Sequence, residues 1–420
     1  MKFLHERLDN GIDVIAEVTD GALSTSVGLF VKTGARDESD AVWGVSHFLE
    51  HMVFKGTHDL SADEINRRFD WMGASANAFT SEEDTVYHAA VLPDQQHEAV
   101  SLLARMMRPA LREEDFDTEK LVILEEIRMY DDQPPFGADD RCRAAFFGGH
   151  PLARSVLGTI DSITALTAGA MCDYHRRRYA PGNIVLAASG AVDFRALVES
   201  ARRHCGDWEP VAATERTVPA GPRPRPSLQQ IERPAATLEY AVRMTAGPAG
   251  DDDDRYAAKL LAVLLGDDSG SRLYWSLVDS GEAEQASCHH HDFLDAGLFV
   301  TQLSCDAEDA GELLARIDEV YAAAATTGVA AAELEQARNK LAGRVVLAGE
   351  RPRRRLFGVG LEWAHTGRYR SVADDLGIVE GIGLDDVHRV LARWPLHGPS
   401  ATVLAGPCPP TSSIPASTAQ

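Results

Sequence analysis

The chain has 420 residues, which at about 150 residues per domain sets an expectation of two or three domains. With 45% hydrophobic and 25% charged side chains it can bury sizeable cores and is no disordered polyelectrolyte. Its 41 basic and 64 acidic residues give a formal net charge of −23, which argues against nucleic acid as a partner, because phosphate-backbone affinity comes from basic patches. No stretch approaches ~18 uncharged apolar residues, and Met1 to Arg7 lacks the apolar run of a secretory signal, so the expectation is a cytoplasmic protein with no membrane contact. Cysteines at 142, 172, 205, 288, 305 and 408 form no C-x-x-C pair and read as free thiols.

In chain order, Thr25 to Lys32 mixes β-branched, small and apolar residues and reads as a strand. Gly44 to Thr57 follows as a helix ending near Gly56, then a small-residue strand from Gly73 to Thr80. A helical stretch through Leu102-Leu103-Ala104-Arg105 precedes a second helix, Glu113 to Tyr130, and Asn183 to Gly190 is again a strand. Pro219, Pro222, Pro224, Pro226 and Pro234 mark 219–234 as a linker, since proline at that density resists helix and central strand alike. Beyond it come strands at Glu239 to Thr245 and Leu298 to Leu303, then a helix carrying the same tetrapeptide, Leu313-Leu314-Ala315-Arg316, and another at Ala331 to Leu347. The parts 1–218 and 235–405 therefore read as duplicated α+β domains of mixed layers, with 406–420 as a Pro/Ser/Thr-rich tail.

The helix at 44–57 carries the chemistry. Val45, Phe48, Leu49, Met52 and Val53 form one buried stripe, and His47, Glu50 and His51 share a neighbouring face. Histidines at i and i+4 lie one turn apart, so both imidazoles can reach one metal ion. This is H-x-x-E-H, the inverted zinc-peptidase arrangement, in which Glu50 is left as general base toward a metal-bound water. A catalytic zinc takes a third protein ligand. Within Glu113 to Tyr130, residues 119, 122, 123, 126, 127 and 130 form a stripe in which Glu119 and Glu126 stand among apolar side chains, costly unless paired or metal-bound. Periodicity prefers Glu126 over Glu125 without settling it. The small residues from Gly73 to Thr80 would let a peptide backbone approach closely and add as an extra strand, with Asn77, Ala78 and Phe79 as its contacts.

At His47-Phe48-Leu49-Glu50-His51 with Phe54-Lys55-Gly56-Thr57 the sequence resembles the pitrilysin/insulinase peptidases, in the shorter branch that includes mitochondrial processing peptidase. Asn77-Ala78-Phe79-Thr80, Glu119…Glu126, His150-Pro151-Leu152, Leu157-Gly158-Thr159 and Tyr179-Ala180-Pro181-Gly182-Asn183 extend the match, densely before the linker and thinly after it. The resemblance implies one Zn²⁺ per chain on His47, His51 and Glu126, Glu50 as catalytic base, and Glu119 supporting a ligand or the base. It implies a processing-peptidase-like metallohydrolase fold, two homologous halves closing as a clamshell, usually in dimers, and a zinc metalloendopeptidase acting on peptides or short unfolded segments.

The second half departs from the pattern. Ser271-Arg272-Leu273-Tyr274 is present, but the family's usual arginine falls on Val278 and its usual tyrosine on Glu284. Since those residues ordinarily hold substrate, the expectation is a homodimer, or a heterodimer with a related chain supplying them. The alternative is a partner-dependent or non-catalytic subunit. Cys288-His289-His290-His291-Asp292 reads as a polar strand or loop, because consecutive strand residues alternate sides and cannot converge on one ion. Arg351, Arg353, Arg354 and Arg355 read as a solvated or acid-pairing surface, and Asp251 to Asp254 as a solvated turn.

Overall fold

The computed structural model describes residues 1–132, 136–211, 216 and 226–407. Its strands are β1 (Lys2–Arg7), β2 (Asp13–Val18), β3 (Thr25–Val31), β4 (Ser75–Thr80), β5 (Thr85–Val91), β6 (Ile184–Gly190), β7 (Ser227–Glu232), β8 (Glu239–Gly247), β9 (Ala283–Asp292), β10 (Gly297–Cys305) and β11 (Ser400–Gly406). They form a six-stranded sheet in the order β1-β2-β6-β3-β5-β4 and a five-stranded sheet in the order β7-β11-β8-β10-β9.

The same pairing scheme runs through both sheets. β2 lies parallel to β6, and β6-β3, β3-β5 and β5-β4 are antiparallel. Likewise β7 is parallel to β11, and β11-β8, β8-β10 and β10-β9 are antiparallel. β1 is the addition that sets the first sheet apart. Two α+β halves of one topology, suggested by repeated helical tetrapeptides, are thus present in the strands.

The compact units do not follow chain order. Among the described residues, one consists of 1–127, 154–211, 216 and 346–373, the other of 128–132, 136–153, 226–345 and 374–407. Helix Pro352–Thr366, from beyond the linker, covers one face of the first sheet, where Leu356 and Val359 pack on Ile15, Phe30, Val86, Val185 and Ala187. Helix Phe136–Phe147, from before the linker, covers one face of the second sheet, where Cys142 and Phe146 pack with Val242, Met244, Leu298 and Val403. The opposite faces bury Val27, Leu29 and Leu186 against Val45, Phe48 and Leu49 in one unit, and Phe299 and Leu404 against Leu261 and Ile317 in the other. With helices on both faces, β3 and β6 are buried along their whole length, and their near-continuous apolar sequences follow from that.

Four expectations need correcting. The linker assigned to 219–234 contains β7: Pro226 precedes the strand and Pro234 follows it, so proline bounds an edge strand here. Pro219, Pro222 and Pro224, and 408–420 of the tail, lie outside the described residues. The boundaries 1–218 and 235–405 separate the two sheets, but each part sends a helix to the other's unit. Arg355 pairs with an acid, as one of the two expectations had it, but not at the surface: it is buried and grips Glu17 through Nε (2.8 Å) and a terminal guanidinium nitrogen (2.5 Å), with Tyr369 Oη donating to the same carboxylate at 2.8 Å. Asp254, in the aspartate run, is buried and paired with Arg389 and Arg393 at 2.7 and 2.6 Å. The triple histidine lies on β9 as a strand, where His290 is buried with Nε2 2.9 Å from the Pro248 carbonyl. No described helix is long and apolar enough to cross a membrane.

Candidate metal centre

The motif helix, Val45–Val53, begins at Gly44, whose φ of +91° only glycine adopts without cost. A Cβ there would stand 2.7 Å from Ile163 Cδ1, 2.8 Å from the Leu157 carbonyl oxygen and 2.9 Å from Gly158 Cα, so the Leu157-Gly158-Thr159 turn seats against the start of the helix. Glu38 supplies the cap: its two carboxylate oxygens accept from the Gly44 and Ser46 amides, each at 2.7 Å. Burial pushes the Glu38 carboxyl up to about 8, against those same hydrogen bonds. Ser46 Oγ and Thr33 Oγ1 both meet Tyr174 Oη, at 2.7 and 2.8 Å. The helix is therefore fixed at its entry by groups the motif does not contain.

Helix Glu113–Asp132 packs across it. The rings of Phe48 and Phe116 stack at 4.7 Å, and Ile123 and Ile127 are buried in the same core. Burial follows 116, 119, 123 and 127, whereas Val122 is 46% and Tyr130 36% exposed, so the stripe read from the sequence is rotated by part of a turn. That rotation still turns Glu126 toward the motif histidines, while Glu125 is exposed.

Among the described residues, His47, His51 and Glu126 form the one group whose ligand atoms converge, all within 4.8 Å of one another. Glu126 Oε2 lies 3.8 Å from His47 Nε2 and 3.7 Å from His51 Nε2. These separations are too long for hydrogen bonds. They are near the ~3.3 Å expected between two atoms bonded at ~2.0–2.1 Å to one tetrahedral ion. The three groups face a common point rather than each other, and a His₂Glu set suits zinc. Burial, then the neighbouring His51, pushes His47 down to about 3, so it is a neutral imidazole, the state a metal ligand needs. Burial opposes a proton on His51, but its hydrogen bond to Glu119 and the charges of Glu126, Glu119 and Glu50 outweigh it and raise its pKa.

Behind the three converging side chains, Glu119 Oε1 is 2.9 Å from His51 Nδ1 and its Oε2 is 2.5 Å from Lys55 Nζ. Beside them, Glu50 Oε2 accepts from Thr80 Oγ1 at 2.6 Å. Burial raises the Glu50 carboxyl above its ordinary value, against the Thr80 bond. Thr80 ends β4, the outermost strand of its sheet, so the open edge of Asn77, Ala78 and Phe79 leads to the glutamate. Asn77 Oδ1 folds back on the Ala78 amide at 2.9 Å, and Phe79 packs on Phe357 with ring centroids 5.6 Å apart.

Sequence reasoning missed Thr80, Glu38 and Lys55. Lys55 carried a signal, since it continues the spacing of His47 and His51 by four. In the other unit, Arg272 is committed to structure, held by Glu333 at 2.8 Å through two nitrogens. Val278 is partly buried against the second core and Glu284 is exposed on β9, while Glu282 pairs with Arg316 at 2.8 Å. The Tyr179–Asn183 motif is structural: Tyr179 Oη meets Tyr87 Oη at 2.9 Å, and Asn183 Nδ2 donates to the carbonyls of Lys32 and Arg178 at 3.1 and 2.8 Å.

Comparison with known proteins places the chain in a family. The profile of the insulinase family, peptidase family M16, matches residues 13–160, a range that includes His47, Glu50, His51 and Glu126, and that of the M16 inactive domain matches residues 165–341. An uncharacterized zinc protease of Mycobacterium tuberculosis is 32% identical over 97% of this chain and 94% of its own length. One from Bacillus subtilis is 27% identical over 90% and 92%. The crystal structure of a protease from Helicobacter pylori superposes with a TM-score of 0.88 at 22% identity, covering 97% of this chain and 99% of that one. A peptidase M16 inactive domain from Pseudomonas fluorescens gives 0.89 at 20%, over 98% and 99%. The two structures speak for the fold, a two-domain mixed α/β architecture. The chain belongs to the insulinase family of peptidases, M16.

Proposed function

We propose that the protein is a zinc-dependent metalloendopeptidase hydrolysing peptides or short unfolded segments, with one zinc per chain. The observation that carries this reading is the convergence of His47, His51 and Glu126 beside a half-buried glutamate at the end of an open strand edge. Zinc held there would polarise the scissile carbonyl and make water more acidic. The rest falls to the chain's own groups. Main-chain groups along β4 pair with an added substrate strand and bring its scissile bond level with Glu50. The Thr80 hydroxyl holds Glu50 Oε2, which leaves Oε1 to take the proton of the attacking water and pass it to the leaving amine. Burial raises the affinity of Glu50 for that proton, as a base that must later act as an acid requires.

A second reading, a partner-dependent or non-catalytic subunit, is favoured by one observation: Val278 is packed on a core and Glu284 is exposed where an arginine and a tyrosine were expected. On this reading a related chain supplies them. Glu50→Gln tests the primary reading, with zinc retained and hydrolysis of a quenched peptide lost; retained turnover removes Glu50 from the chemistry. Mass measurement in solution, with hydrolysis by the isolated chain, separates the two readings.

A further inference from the structure

Resting on the zinc reading above, we propose that Lys55 is a positioning residue of the metal centre: seated on Glu119 Oε2, it holds Glu119 Oε1 against His51 Nδ1, so that His51 keeps its proton on Nδ1 and offers Nε2 to the metal. The three side chains form a continuous line, with 2.5 Å from Lys55 Nζ to Glu119 Oε2 and 2.9 Å from Glu119 Oε1 to His51 Nδ1. A histidine that donates one ring nitrogen to a carboxylate has its tautomer fixed and its other nitrogen made more basic. Both ends of the carboxylate are thereby fixed: one oxygen holds the imidazole and the other is paired with the ammonium group.

Lys55 is placed for this by the backbone. It follows His51 by one helical turn, and its amide still donates to the Met52 carbonyl at 3.1 Å, so it leaves the motif helix on the face of His47 and His51. Gly56, with φ +120°, turns the chain just past the end of the helix, and a Cβ on it would stand 2.6 Å from the Leu60 carbonyl oxygen. The Gly56 carbonyl in turn accepts from Ala110 at 3.0 Å. The chain cannot slide by a residue without breaking this turn, so the ammonium group is delivered to one place.

Charge supplies the second argument. Glu50, Glu119 and Glu126 gather around the centre, and the side chain of Glu119 is only 5% exposed. A dication offsets two of these three charges, and Lys55 offsets the third. Its side chain is 36% exposed, yet its partner is buried, so the pair is not the weakly coupled surface kind.

The test is zinc affinity, by competition with a chelating dye, for the full chain and for Lys55→Met, Lys55→Gln, Lys55→Arg, Glu119→Gln and the double variant Lys55→Met/Glu119→Gln. Loss of the supporting charge should weaken zinc binding by about 10-fold or more in the methionine and glutamine variants. Lys55→Arg should restore most of it. In the Glu119→Gln background the lysine change should cost little further, because it acts through that carboxylate. Two lysine variants keep the result readable if one folds poorly. Wild-type affinity in both neutral variants, or an equal loss in the Glu119→Gln background, overturns the proposal while leaving the centre intact. A wild-type chain that binds no zinc overturns the centre itself, and Lys55 with it.

Discussion

The entry to the motif helix gives a stability prediction that separates two effects in one residue type. Gly44 and Gly21 both have left-handed backbones, at φ +91° and +80°. At Gly21 a Cβ would meet nothing within 4 Å, whereas at Gly44 it would meet three atoms at 2.7–2.9 Å. Gly21→Ala should cost only the conformational term, about 1–2 kcal/mol for an L-residue in that region. Gly44→Ala adds overpacking against Ile163, Leu157 and Gly158, about 1–3 kcal/mol more, for about 2–5 kcal/mol in total. Denaturant midpoints of the two variants, compared in the same unit of the protein, read the difference directly. A Gly44→Ala loss within about 0.5 kcal/mol of the Gly21→Ala loss would refute the claim that the Leu157-Gly158 turn locks the helix in place.

Other outcomes follow from single contacts. Arg355→Met leaves the Glu17 carboxylate, 0% exposed, without its cationic partner and with only the Tyr369 hydroxyl still donating to it, and should destabilise by about 3–5 kcal/mol, checked by thermal or denaturant unfolding. Thr80→Val removes a hydrogen bond to a charged group worth ~1.5–3 kcal/mol, so kcat should fall about 10- to 100-fold with KM little changed; an unchanged kcat would contradict the proposed hold on Glu50. His365 Nε2 meets Asp84 Oδ2 at 2.7 Å; burial pulls its pKa down, but the Asp84 bond and charge outweigh that and raise it above 6.5. The folded state thus binds that proton more tightly than the unfolded state, a contribution complete below pH 6.5 and lost as pH rises through the raised value. The stability advantage of wild type over His365→Asn should shrink in that direction, and a pH-independent difference would count against it.

The motif helix and the edge strand were legible because their signals are local. Apolar residues at helical spacing place His47, Glu50 and His51 on one face, and a run of small residues marks β4 as approachable. Glu126 was legible only in part: the choice over Glu125 rested on a stripe whose Val122 and Tyr130 are half-exposed, and Phe116 rather than those residues seats the helix. The exchanged helices were not legible, since Leu356 and Val359 look like any amphipathic face and nothing in their spacing says which sheet they cover. The same holds for Arg355 and Glu17, separated by 338 positions, where a basic cluster suggests a surface. Lys55 was within reach, one turn past His51, but its value lies in Glu119, a partner 64 residues further along that only the packing of two helices brings near.

The central proposal is that His47, His51 and Glu126 hold one zinc ion. X-ray absorption at the zinc edge of the purified chain, with zinc content measured on the same sample, tests this most directly. One zinc per chain, with two imidazole nitrogens and a carboxylate oxygen among its ligands, and loss of that site in His47→Ala, His51→Ala and Glu126→Ala, is the predicted result. Substoichiometric zinc, sulfur ligation, or a signal unchanged in those variants would contradict it.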